Sequence, residues 1–270
     1  MTRIPALFHP AQTLDCGQAF RWRQRPEDPA KWEGAAFGQV LTIKEEAGEL
    51  VLSCGPQELE QTWRRYFDLA EDYDAARRAL AGVHPALGEA AAFAPGIRIL
   101  RQEPWEALCS FILSQNNHIG RIKGILGRFC QQFGEAIPGT DWAAFPSPER
   151  VAGLSLEDLA PLRCGYRGAY VLDAARQVAG GLVDLERIDQ EPAAFGREEL
   201  QRIKGVGPKV AECALLYGFH KTECFPMDVW MKRAMAALLP GVRPEDLGRN
   251  AGLAQQYIFH YSRMHPELFQ

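Results

Sequence analysis

Apolar and polar positions change rhythm once along this chain, near Gly55-Pro56. Before that point, apolar residues come in short runs rich in aromatic and β-branched side chains, at about 18–24, 31–37, 39–44 and 49–54. Turn-forming segments such as Arg25-Pro-Glu-Asp-Pro29 and Glu45-Glu-Ala-Gly48 separate them, and runs bounded in this way predict an antiparallel meander. After Gly55-Pro56, apolar residues recur at three- and four-residue intervals, the spacing of one helix face. The pattern predicts helices over about 57–68, 73–81, 84–92, 104–115, 118–134, 148–153, 168–180, 197–204, 208–218, 229–239 and 250–263. Phe145-Pro-Ser-Pro148 and Gln190-Glu-Pro192 mark loops between them. No internal repeat and no low-complexity tract interrupts the layout. The expected fold class is α+β and mainly helical: a small N-terminal antiparallel β-sheet subdomain over 1–95, then an all-α body over 96–270.

Composition narrows the class of protein. The chain has 270 residues, 47% apolar and 24% charged, an ordinary globular balance. No apolar run approaches the roughly 20 residues that cross a bilayer, and the N-terminus lacks the apolar core of a secretion signal. A cytoplasmic monomer without a membrane partner is expected. The seven cysteines are scattered without a Cys-x-x-Cys pair, which argues against a zinc ribbon or an iron–sulfur loop and for reduced, buried thiols. A net charge of −4 argues against a nucleic-acid partner, but the distribution argues back. Residues 107–134 contain no acid and carry Arg121, Lys123 and Arg128, while Arg202, Lys204, Lys209, Lys221, Lys232 and Arg233 lie in a second stretch. A basic face of this kind suits salt-sensitive DNA contact; it also suits ordinary solvated helix surface.

Candidate chemistry concentrates around Gly205-Val-Gly207-Pro208-Lys209 and, nineteen residues after Lys209, Asp228. The segment reads as helix, glycine hairpin, helix over about 197–218. Gly205 and Gly207 permit backbone angles closed to other residues, Pro208 suits the first helical position, and the free N–H groups of the turn attract anions. Asp228 suits an N-cap. Each feature taken singly has a plain structural role. Together they place an amine and a carboxylate at two helix N-termini, beside a turn fit to hold a phosphate backbone. The expectation is that both groups meet at the mouth of one purine-sized cavity.

The hairpin resembles that of the helix-hairpin-helix DNA glycosylase superfamily, and further segments resemble the 8-oxoguanine DNA glycosylases within it. These are Leu14-Asp-Cys-Gly17-Gln18-Ala-Phe20-Arg21-Trp22, then Gly96-Ile-Arg-Ile-Leu-Arg-Gln-Glu-Pro-Trp105 with Ser110-Phe-Ile-Leu-Ser-Gln-Asn116-Asn117-His-Ile-Gly-Arg121, and Gly165-Tyr166-Arg167-Gly-Ala-Tyr170. The resemblance implies a glycosylase with an associated lyase step on double-stranded DNA containing oxidised guanine, preferably opposite cytosine. It implies Lys209 as the nucleophile that forms a Schiff base, and Asp228 as the carboxylate beside it. Gly17 would accept the N7–H of the oxidised base, Cys213 and Phe259 would sandwich that base, and Gln255 would meet its pairing edge. Asn116 would fill the vacated helix, Arg121 and Arg167 would bond the orphaned cytosine, Tyr166 would act as a wedge, and Gly205 and Gly207 would meet phosphate. No cofactor and no dedicated metal site is implied; an ion held by hairpin carbonyls would be structural. In a prokaryote the protein would be nucleoid-associated. Two departures stand out: His118 where relatives often carry asparagine, and Trp230 where they carry histidine, which puts a phosphate contact at Trp230 in doubt. The alternatives are a glycosylase for alkylated bases that uses the aspartate alone, and a non-catalytic helix-hairpin-helix DNA-binding protein.

Overall fold

The computed structural model describes residues 1–269. Strands β1 (Thr2–Pro5), β2 (Trp22–Arg25), β3 (Asp28–Ala36), β4 (Gln39–Glu46) and β5 (Glu49–Leu52) form one antiparallel sheet in the order β1-β5-β4-β3-β2. Side chains alternate across a strand, so register decides which face is apolar. Trp32 pairs with Ile43 and Ile43 with Leu52, while Trp22 pairs with Gly34 and Gly34 with Leu41. The side chains of these two rows point to one side and are buried. They pack on Trp63, Tyr66 and Phe67 of the segment that follows the sheet, and the Trp22 indole donates to the Tyr66 hydroxyl at 2.7 Å.

The expected meander is present with two changes. β1 joins the edge of β5, Thr2 opposite Leu52; a four-residue strand reading Thr-Arg-Ile-Pro has too little apolar alternation to announce itself. Residues 18–21, expected as strand, lie outside it because Gln18 is used differently. Its buried side chain donates to the carbonyls of Thr13 (3.0 Å) and Arg98 (2.7 Å) and accepts from the Leu100 amide (2.9 Å). The Gly17 loop is thereby stapled to the segment leading into the helical body.

In that body the helix Pro104–Ser114 runs through the middle, buried on every side from Trp105 to Leu113, as expected for a helix apolar all round. The helix Pro208–Gly218 packs along it, with Phe111 stacked on Tyr217 at 5.1 Å. The helix Ile119–Phe133 instead buries one stripe, Ile122, Ile125, Leu126, Phe129 and Cys130. The helix Ala251–Met264 closes the body against Pro85–Phe93 and Val229–Leu238. Three short helices, Pro10–Leu14, Leu156–Leu159 and Leu185–Gln190, had no periodic signal because none completes two turns. The first helix of the hairpin spans Ala193–Leu200 rather than 197–204. It stops early because the Lys204 amide leaves the helical ladder to bond the Asp173 carboxylate at 2.7 Å.

Two buried ionic clusters tie the layers. Arg21, just before β2, pairs with Glu106 on the central helix at 2.9 Å, both almost fully buried. Burial pushes the Glu106 carboxyl up and Arg21 opposes it. Asp68, in a left-handed turn, accepts from Arg101 (2.9 Å) and Tyr73 (3.0 Å) and lies 3.4 Å from His220. Burial raises its carboxyl, but His220 and Arg101 together outweigh burial and hold it down at about 2. All seven cysteines are free and buried. Among the described residues no helix is long and apolar enough to cross a membrane.

Candidate active site

Lys209 stands at the second position of the helix Pro208–Gly218, whose N-cap is Gly207. Asp228 caps the helix Val229–Leu238; its Oδ1 accepts from the Met231 amide at 2.7 Å. Among the described residues its other oxygen has no hydrogen-bond partner and is available to a ligand. Both groups act on one buried atom, the Cys213 thiol. Burial pushes that thiol up, the Lys209 amine pulls it down, and the Asp228 carboxylate raises it again. Cys213 lies one helical turn after Lys209, and the charges of Lys209 and Asp228 are both felt at its thiol. The Lys209 Nζ also lies 5.6 Å from the centre of the Phe111 ring, a distance at which a cation is held by the ring face.

A residue not singled out in the sequence locks this arrangement. Glu212, next to Cys213, accepts from Arg197 in the first hairpin helix with one oxygen and from the Phe225 amide at 2.8 Å with the other. It thus fixes the lysine helix both to its hairpin partner and to the loop that leads into Asp228. Asp173 does the same for the turn: its Oδ2 accepts from the Lys204 amide and from Gln177, each at 2.7 Å. Gly205 has φ +82°, and a methyl group there would lie 2.2 Å from the Tyr170 ring. Glycine is required at this position for backbone angle and for space. Gly207 has an extended backbone and open surroundings.

Gln255 and the loop of Cys16 and Gly17 are tied to the lysine helix by buried hydrogen bonds, and Phe259 packs beside Gly17. Tyr217, on the lysine helix, donates within 3.2 Å of Gln255 Oε1 and 2.6 Å of Gln256 Oε1, and Gln256 donates to the Cys16 carbonyl at 2.9 Å. Gly17, the next residue, has φ +92°; a methyl there would lie 3.3 Å from Phe259 and 4.0 Å from an Arg263 nitrogen. Phe259 is half-buried with the Arg263 guanidinium 5.5 Å from its ring centre. Two cavities, of about 550 Å³ lined by Phe37, Trp105 and His220 and about 480 Å³ lined by His9, Tyr73 and Arg77, lie elsewhere; Lys209, Cys213 and Phe259 line neither.

The residues expected at an orphaned base form a second cluster. Asn116 is exposed with φ +47°, and its side chain donates to the Tyr166 hydroxyl at 3.4 Å. Tyr166 is 51% exposed, which suits a wedge. Arg167 is buried and holds the backbone: it donates to the carbonyls of Gln115 (2.6 Å), Asn116 (2.8 Å) and Cys164 (3.3 Å), with its guanidinium against the Tyr166 ring. Arg121 is exposed and donates to the Arg163 carbonyl at 3.3 Å. His118 caps the helix of Arg121, its Nδ1 accepting from the Arg121 amide at 3.3 Å. Trp230 donates to Ser262 at 2.9 Å, and Ser262 donates to the Phe259 carbonyl at 3.1 Å, so the indole N–H braces the Phe259 helix. Among the described residues no group of three or more His, Cys, Asp or Glu side chains is placed to hold a metal ion.

The N-terminal domain of 8-oxoguanine DNA glycosylase matches residues 3–108, and the HhH-GPD superfamily of base excision DNA repair proteins matches residues 109–243. This chain belongs to the 8-oxoguanine DNA glycosylase family. Solved family structures superpose along nearly its whole length. One, described as MBOgg1 in complex with a low-affinity DNA ligand, is 35% identical with a TM-score of 0.91, over 98% of this chain and 95% of that one. Another is the Clostridium acetobutylicum 8-oxoguanine glycosylase/lyase in complex with double-stranded DNA containing cytosine opposite 8-oxoguanine. It is 33% identical with a TM-score of 0.89, over 96% of this chain and 93% of that one. The N-glycosylase/DNA lyase of Saccharomyces cerevisiae is 32% identical over 83% of this chain and 66% of its own length. This member of the 8-oxoguanine glycosylase family spans 63–66% of the length of the first curated relatives it matches.

Proposed function

We propose that this protein is a bifunctional base-excision-repair enzyme that removes 8-oxoguanine from double-stranded DNA and then cleaves the strand by β-elimination. What supports the reading is the placement of Lys209 in the first turn of the helix Pro208–Gly218 and of Asp228 as the cap of Val229–Leu238, with both charges felt at Cys213. In this mechanism the Lys209 amine gives up a proton and bonds C1′ of the flipped nucleotide, while the oxidised base leaves with the C1′–N9 electron pair and takes up a proton. The adduct opens to an imine, which acidifies C2′ and permits loss of the 3′ phosphate. The free oxygen of Asp228 faces the positive charge that develops on the sugar.

The pocket follows the same reading. Gly17 offers a carbonyl to the N7–H that only the oxidised base carries; guanine there leaves a buried acceptor unpaired, at a cost of about 1–3 kcal/mol. Cys213 and Phe259 flank the base and Gln255 meets its pairing edge. Asn116, Tyr166, Arg121 and Arg167 face the orphaned cytosine, and Gly205 and Gly207 approach phosphate. Arg167 spends three of its five N–H groups on the carbonyls of Gln115, Asn116 and Cys164, so its contribution includes holding Asn116 in place while two N–H groups remain for cytosine. We further propose a cytoplasmic, nucleoid-associated monomer, organised as a sheet-bearing subdomain over about 1–95 and a helical body over 96–270.

The test is incubation of wild type and Lys209→Gln with duplexes carrying 8-oxoguanine opposite each base, with and without borohydride. Base release and a trapped adduct are expected for wild type, most strongly opposite cytosine, and neither for the variant. Base release without any trapped adduct would favour a glycosylase that uses the aspartate alone; no release at all would leave a DNA-binding protein.

A further inference from the structure

Arg263 takes no part in the mechanism above, yet its guanidinium lies against both Phe259 and Gly17. It lies 5.5 Å from the centre of the Phe259 ring, a contact that four-residue spacing on one helix explains by itself. The second contact comes from a remote segment: the same guanidinium lies 4.0 Å from where a methyl on Gly17 would sit, and that methyl would be 3.3 Å from Phe259. Gly17, Phe259 and Arg263 thus form one corner. Its charge is felt locally, since Arg263 reinforces burial in lowering the pKa of neighbouring His260.

We infer that Arg263 is a specificity-determining residue that donates to O8 of the oxidised base; the inference rests on the pocket proposed above. O8 is bonded to C8, the ring neighbour of N7, so a base whose N7–H meets the Gly17 carbonyl carries O8 at the Gly17 end of the pocket. That end is where the guanidinium lies. When the C1′–N9 bond breaks, its electron pair leaves with the base and spreads over N9, C8 and O8. Lys209 Nζ forms its bond to C1′ and gives up a proton, and the departing base takes a proton up. A cation at O8 meets charge that grows only as this bond breaks, the condition for transition-state rather than ground-state stabilisation. Guanine has hydrogen at C8 and draws no such benefit. Arg263 therefore adds selectivity at the bond-breaking step to the selectivity that Gly17 supplies on binding.

The experiment compares wild type, Arg263→Gln and Arg263→Lys in two single-turnover assays: base release from an 8-oxoguanine:cytosine duplex, and strand cleavage at a preformed abasic site, which has no base to expel. Arg263→Gln is expected to slow base release about tenfold or more while abasic-site cleavage and borohydride trapping stay within twofold. Arg263→Lys should recover part of the loss. Equal losses in both assays would show that Arg263 holds the DNA backbone or the fold instead, and would overturn the assignment, as would unchanged base release. Failure of wild type to release the base would sink the underlying activity, a different outcome from failure of the Arg263 effect alone.

Discussion

Replacement of Gly205 by alanine tests the hairpin at its tightest point. The backbone there has φ +82°, and the added methyl would sit 2.2 Å from Tyr170 Cδ2. A left-handed conformation costs a non-glycine residue about 1–2 kcal/mol. Forcing a packed ring to move costs about 1–3 kcal/mol more. The sum is about 3 kcal/mol, and at roughly 2–4 °C per kcal/mol for a chain of this size the midpoint of thermal unfolding should fall by about 6–12 °C. Tyr170 contacts Tyr166 edge to face at 5.6 Å, so the displacement also reaches the exposed wedge, and affinity for duplex DNA should fall with stability. Gly207→Ala is the matched control. Its φ of −92° suits any residue and no atom lies within 4 Å of the new methyl, so the variant should lose less than about 1 kcal/mol, the scale of an N-cap change. Calorimetry on both variants, followed by DNA titration below the lower midpoint, measures both effects. Equal midpoints for the two variants, or a Gly205→Ala protein that melts with wild type, would refute the packing argument.

Three further outcomes follow from the buried polar clusters. Glu106→Gln should destabilise the protein by about 3–5 kcal/mol in urea unfolding, because it leaves the Arg21 charge buried beside a neutral partner; a loss below 1 kcal/mol would mean that water reaches the pair. The Asp68 carboxyl is held at about 2, below its value in an unfolded chain, so its contribution of about 1–2 kcal/mol, discounted for partial screening, is complete above about pH 4 and is lost as pH falls towards 2. Asp68→Asn should flatten the stability profile in that window; an unchanged slope would remove Asp68 from acid sensitivity. Glu212→Ala should slow base release by about tenfold through misplacement of Lys209 against Asp228, with duplex affinity within twofold, and equal losses in both would mean that Glu212 supports the DNA surface instead.

The longest periodic elements were legible in the sequence because burial of one face dictates their pattern. The helix Ile119–Phe133 and the strands β3, β4 and β5 are examples, although their register was not read. The hairpin turn was legible because the backbone angles at Gly205 and Pro208 are local requirements, whereas the space that Tyr170 demands at Gly205 was not legible. Side chains that act over long separations were not. Gln18 bonds Arg98 and Leu100 across 80 and 82 positions, and Asp173 reaches the hairpin from 31 positions away. Glu212 carried no signal of its own, although it adjoins Cys213. The early stop of the hairpin's first helix has the same origin, since a remote carboxylate took its amide. Gln18 alone left a trace, as a fixed letter in the Gly17 motif.

The seven buried thiols bear on how this chain withstands oxidants. Peroxide attacks sulfur as thiolate, and thiolate is what each of these sites disfavours. Burial is the largest influence at all seven and raises every one of them, Cys16 and Cys130 to about 12. The chain thus holds its sulfur in the slowly reacting form, including Cys213 beside Lys209. Oxidants should reach these cysteines mainly after local opening, so loss of activity in peroxide should track unfolding rather than precede it.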